Sequence, residues 1–122
     1  MHFVFDNNSP IYIQIVQQLK LYIISGNISS GERLPSVRVL ALDAGVNPNT
    51  MQKALSELED MGLVCTERTN GKYVTADREL ISRLKDSYAE KLTADYLSMM
   101  EKIGISAPFA ADYLSRFGGM QR

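Results

Sequence analysis

The chain has 122 residues, enough for one domain or one small domain with an appendage, and its 45% apolar and 22% charged residues are ordinary globular values. A single His (His2) and a single Cys (Cys65) cannot build a Cys/His zinc site, make a His-based triad improbable and exclude an internal disulfide, which fits a reducing compartment. The formal net charge of −1, from 13 Lys+Arg and 14 Asp+Glu, argues against a generic basic nucleic-acid sponge.

The apolar runs are short. Leu21–Ile24 and Val39–Leu42 fall far below the ~20 residues that a membrane span needs. No basic segment precedes an apolar stretch, so no signal peptide is expected.

Ser9-Pro10 predicts the start of a first helix, with Ser9 as the cap and Pro10 in the first helical position. Ile11, Ile15, Val16, Leu19, Tyr22 and Ile23 recur at helical spacing, and Gly26 supplies the stop. Pro35-Ser36 opens a short second helix capped by Ser36, whose apolar members are Val39, Leu40, Ala41, Leu42 and Ala44. Gly45 closes it in a left-handed conformation. A third helix starts with Asn47 as cap and Pro48 first, covers one face with Met51, Ala54, Leu55, Leu58 and Met61, and ends at Gly62.

The period then changes. Leu63–Glu67 is β-prone, Thr69–Lys72 reads as a turn built on Asn70-Gly71, and Tyr73–Thr75 as the returning strand of a hairpin. Cys65 is expected to be a small apolar residue of the first strand. From Asp77 to about Ile103 a long helix follows, roughly 40 Å at 1.5 Å per residue. A last helix runs from about Pro108 to Phe117, ended by Gly118-Gly119, and the final residues are expected to fray. The predicted fold class is mainly α with a small β-hairpin: a winged helix-turn-helix domain over residues 1–75 and a two-helix tail over residues 76–122.

Two helices joined by a tight turn and followed by a hairpin form the winged helix-turn-helix layout. Small Ala41 lets the two helices cross closely, while Leu40, Ala44, Val46, Met51 and Ala54 are the expected buried positions. On the third helix, Asn49, Lys53 and Ser56 lie opposite Met51, with Thr50 and Gln52 flanking them. Amide, hydroxyl and ammonium groups of this kind can meet base edges and phosphates. Glu57, Glu59 and Asp60 crowd the C-terminal half, the wrong order for the helix dipole but the right one for a recognition helix that presents its N-terminal half to DNA.

Gly31–Arg38, Gly45–Thr50, Leu58–Leu63 and Asn70–Val74, in this order and spacing, resemble the DNA-binding domain of the GntR family over roughly Pro10–Thr75. The Asn47-Pro48-Asn49-Thr50 segment and the short all-helical tail resemble its YtrA subfamily. The resemblance implies a homodimeric bacterial transcription regulator, usually a repressor, often encoded beside membrane-transporter genes. It implies that Arg38 contacts DNA at the start of the second helix, where Ser36 is placed to reach a phosphate. Asn47, Asn49 and Thr50 then supply polar contacts at the start of the recognition helix. Gly71 is the wing tip near the minor groove, and Lys72 is a phosphate contact. Many relatives carry arginines where this chain has Pro48 and Gln52, so the base code differs, and Gln52 suits adenine.

Arg38, Lys53 and Lys72 are thus expected on one side, with Glu57, Glu59 and Asp60 turned away. The apolar stripe of the long helix (Leu84, Tyr88, Leu92, Tyr96, Met99, Ile103), with Phe109, Tyr113, Leu114 and Phe117 of the last helix, is expected to bury itself in a two-fold dimer. The expected partners are a double-stranded DNA operator and a second copy, in the cytoplasm, without membrane, metal or cofactor; the sequence specifies no effector. Scarce His and Cys and the lack of clustered carboxylates point away from an enzyme. A winged-helix module that docks a protein and not DNA stays open, favoured by the mildly acidic composition.

Overall fold

The computed structural model describes residues 1–68 and 70–120. Its elements are α1 (Ile11–Ile24), α2 (Val37–Ala44), α3 (Pro48–Asp60), β1 (Val64–Glu67), β2 (Gly71–Val74), α4 (Arg78–Lys102) and α5 (Ala107–Met120). This is the expected winged helix-turn-helix with two further helices. The chain forms two compact units, Met1–Arg83 and Leu84–Arg122, and α4 belongs to both.

Local chemistry sets the helix ends. Ser36 Oγ accepts from Val39 N at 3.2 Å, and Asn47 Oδ1 accepts from Asn49 N at 2.7 Å ahead of Pro48, so both helices of the motif carry side-chain caps. Gly45 takes φ 67°, and the turn is fixed by Val46 N donating to Ala41 O at 3.0 Å. Asp77 Oδ1 accepts from Leu80 N at 3.0 Å at the head of α4.

Two ends differ from expectation. α1 begins one residue late: Pro10 is its cap residue, with ψ 144°, and no side chain caps it. Pro10 fixes φ while an extended ψ still lets its carbonyl accept from Ile13 and Gln14. α5 does not stop at Gly118-Gly119. A glycine ends a helix by turning left-handed, and neither of these does, so the helix runs on to Met120. The expected fraying of the last residues falls on Gln121 and Arg122, outside the described residues.

The core of the first unit joins α1 to the helix-turn-helix. Ile15, Leu19 and Ile23 of α1, Leu40 of α2, and Met51, Leu55 and Leu58 of α3 are almost fully buried. Each such side chain contributes roughly 1.5–3 kcal/mol by leaving water. Ala41 and Ala54 are buried as expected, but Ala44 and Val46 are only half-buried, and Val39 and Leu42 are exposed, Leu42 by 74%. An eight-residue helix turns one narrow face inward, so its other apolar residues face solvent whatever their hydrophobicity.

β1 and β2 are antiparallel, with Val64 opposite Val74 and Glu67 opposite Gly71. Gly71 and Lys72 therefore belong to the returning strand and not to the turn; of the predicted turn residues, Thr69 lies outside the described ones. Cys65 is in the strand, as predicted, but exposed. The lead-in to α2 adds a third line of hydrogen bonds: Leu34 N donates to Lys72 O and Val74 N to Glu32 O, both at 2.8 Å, around an Arg33–Tyr73 bridge.

The first residues form a strap on α1. Gln18 exchanges two hydrogen bonds with the backbone of Val4, Gln14 does the same with Asp6, and Tyr22 with His2. The periods match. Four helical residues rise about 6 Å and two extended residues about 6.6 Å, so a polar row at i, i+4, i+8 can read every second residue of an extended segment.

In the second unit, Ala110 is buried and Tyr96 Oη donates to its carbonyl at 2.9 Å, joining α4 to α5. α4 itself contributes no buried residue among those described.

Candidate nucleic-acid interface

The exposed face of α3 carries the polar set the sequence predicts. Asn49, Gln52, Lys53 and Ser56 are exposed and Thr50 is half-buried. Several of these groups are already engaged. Asn47 spends Oδ1 on its cap and keeps its amide N–H groups as donors, and Gln52 Nε2 donates to Ser56 Oγ at 3.3 Å. Lys53 Nζ lies 3.8 Å from the centre of the Tyr12 ring, which orients the ammonium without neutralising it. On α2, Arg38 is exposed and has no ion-pair partner among the described residues, and Ser36 Oγ keeps its hydroxyl proton to donate.

The expected separation of charge is corrected at one point. Glu59 is not turned away from the basic side. Its carboxylate pairs with Lys72 Nζ and also accepts from Thr66 Oγ1 at 2.6 Å, while Lys72 Nζ donates to Thr66 at 2.9 Å. Hydrogen bonds from Lys72 and then Thr66 hold the Glu59 carboxyl below the usual carboxylate range, against a smaller opposing effect of burial. The reason is geometric: β1 packs against α3 and pairs Thr66 with Lys72, so both side chains reach an acid in the last turn of that helix. Lys72 therefore ties the hairpin to α3.

Between the start of α2 and the hairpin lies a groove of about 490 Å³, lined by Arg33–Val37 on one side and by Thr66–Arg68, Gly71 and Lys72 on the other. Arg33 reaches across it. Its guanidinium lies beside Gly71, where a Cβ would meet it at 3.5 Å, an ordinary contact; Gly71 is needed there for its φ of 94°. From the sequence Arg33 and Arg68 are no more than candidate additional phosphate contacts, and nothing in it pairs Glu59 with Lys72 or Lys53 with Tyr12.

In the tail, Leu84, Tyr88 and Tyr96 are half-buried, while Leu92, Met99, Ile103, Phe109, Tyr113, Leu114 and Phe117 are exposed. Among the described residues no helix is long and apolar enough to cross a membrane, and no group of three or more His, Cys, Asp or Glu could hold a metal ion.

A capped helix-turn-helix, a wing following its third helix and a polar face free of carboxylates at the head of that helix are the geometry of a DNA-reading domain. The family model for bacterial regulatory proteins of the gntR family matches residues 11–74. The chain belongs to the GntR family. Among GntR relatives, it is 33% identical over 84% of both chains to the HTH-type transcriptional regulator YhcF of Bacillus subtilis (strain 168). It is 45% identical to the HTH-type transcriptional repressor YtrA of the same organism, over 57% of this chain and 53% of that one. A solved GntR family transcriptional regulator from Listeria monocytogenes matches with a TM-score of 0.84 and 38% identity, over 92% of this chain and 98% of that chain. The YtrA resemblance of the Asn47–Thr50 segment thus agrees with a relative of that name, and the GntR family is one of regulators and not of enzymes.

Proposed function

We propose that the chain is a homodimeric transcription repressor, acting in the cytoplasm on a palindromic operator, with control of a transporter operon as its setting. The observation that carries this is the head of α3: Asn49, Gln52 and Lys53 are exposed there, beside exposed Arg38, with no carboxylate in the first turn. Carboxylates at that end would repel phosphate. Arg38, Ser36, Asn47, Asn49, Thr50, Gln52, Lys53 and the wing at Gly71 form the contact surface, while Lys72, expected from sequence as a phosphate contact, is held by Glu59. Residues 76–122 are the dimerisation tail. Support comes from its exposed apolar side chains, with Ile103 71% and Phe109 66% exposed, a patch that a lone soluble domain would rarely leave open. Two-fold symmetry would set two recognition helices about one DNA turn apart, ~34–36 Å.

The test is a gel shift on the DNA upstream of the gene itself. Arg38→Ala is expected to weaken binding by about 1–3 kcal/mol, and the unmutated protein should lose affinity steeply with salt. Affinity that ignores salt, or is unchanged in both Arg38→Ala and Lys53→Ala, would refute this reading and favour a protein-docking module.

A further inference from the structure

The wing of this domain places three cations near one another, Arg33, Arg68 and Lys72, around the groove beside α2. They are not equivalent. Lys72 is half-buried and already holds the Glu59 carboxylate and the Thr66 hydroxyl. Taking its ammonium to a phosphate would leave Glu59 with the Thr66 hydroxyl alone, and a carboxylate whose charge is unpaired opposes the approach of phosphate. Arg33 differs on each count. It is exposed and has no ion-pair partner among the described residues. Its backbone is clamped on both sides by the Leu34–Lys72 and Glu32–Val74 hydrogen bonds. Its guanidinium lies beside Gly71, the first residue of β2. A planar fork of donors on a fixed backbone loses less entropy per hydrogen bond on reaching a phosphate than a lysine does.

We propose that Arg33 is the cation which the wing presents to the DNA backbone, and that Lys72, held by Glu59, is a positioning residue that fixes the wing against the recognition helix. The inference rests on the DNA-binding reading above. Glu67 lines the same groove, so the wing's charge at this edge depends on Arg33 and Arg68 outweighing one carboxylate.

The experiment measures the salt dependence of binding to a duplex carrying the gene's own upstream region and to a shuffled duplex of the same composition. Removing one phosphate-neutralising cation lowers the slope of log K against log salt by about 0.9. Arg33→Gln should lower it by that amount per protomer on both duplexes, with an unchanged melting temperature, and Arg33→Lys should restore most of the slope. Lys72→Gln should keep the unmutated slope and melt at a lower temperature. An unmoved slope in Arg33→Gln, or an equal drop in Lys72→Gln, overturns the assignment while leaving the DNA-binding reading intact. If the unmutated protein shows no salt-dependent binding to either duplex, that reading fails and the assignment fails with it.

Discussion

Lys53 of the recognition helix lies with its ammonium 3.8 Å above the ring of Tyr12, a residue of α1. The contact fixes α3 to the helix behind it on a side that the buried core does not reach. Such contacts contribute about 0.5–1 kcal/mol at exposed sites. A double-mutant cycle of Tyr12→Leu and Lys53→Met, followed by urea denaturation, should return a coupling energy of that size. Tyr12→Phe should keep most of it. A coupling near zero would mean that the ammonium is solvated.

Glu59 gives the domain a pH dependence. Its folded carboxyl lies below its ordinary value, so the pair with Lys72 contributes fully above the usual carboxylate range and is lost as pH falls through the lowered folded value. Glu59→Gln should therefore lower stability by about 1 kcal/mol at neutral pH, since the pair is partly exposed. The difference from the unmutated protein should close below about pH 4. Parallel stability curves for the two proteins across the acid range would contradict this.

The turn between α2 and α3 separates backbone strain from crowding. A Cβ at Gly45 would meet no atom within 4 Å, yet its φ is 67°. Gly45→Ala should cost about 1–2 kcal/mol through the backbone alone, and Gly45→Asn less, because Asn tolerates the left-handed region. Calorimetric melting of the two variants decides the order.

The strap is held by side-chain hydrogen bonds from α1, by the packing of Phe3 on Tyr22 and by an ion pair of the Met1 amine with Asp43. Gln18→Ala removes both hydrogen bonds to Val4 and leaves its amide exposed. Hydrogen exchange at residues 2–6 should accelerate severalfold while the amides of α3 keep their protection. Equal acceleration in α3 would show the strap to be part of the cooperative core.

Phe109 and Phe117 test the tail as an interface. On a helix face that a second copy covers, Phe109→Asp with Phe117→Asp should convert a dimer to a monomer in sedimentation, with an unchanged helical circular dichroism signal. An unaltered sedimentation coefficient would place the interface elsewhere.

How much of the fold is legible in the sequence follows from the range of the forces involved. Caps are local, so Ser36, Asn47-Pro48 and Gly45 are legible to the residue. So is the change of period at the hairpin, and with it the family resemblance. The start of α1 differs by one position because Ser9 and Pro10 can each serve as the cap. Leu42 departs from its expected face because spacing gives a face but not how much of it a neighbour covers. The Glu59–Lys72 pair and the Tyr12–Lys53 contact join residues far apart in the chain, and no periodicity encodes them. The polar row Gln14, Gln18, Tyr22 stands in plain view at four-residue spacing, but its partner is a backbone, which has no sequence signature.

The segment Glu32–Leu34 hydrogen-bonds to β2 along the side that β1 leaves free. A hairpin of two four-residue strands would be marginal in water on its own and would offer two edges for aggregation. Here one edge is closed by the residues that lead directly into α2. The wing completes its pairing only where the loop from α1 is folded back onto it, which couples the hairpin to the reading helices.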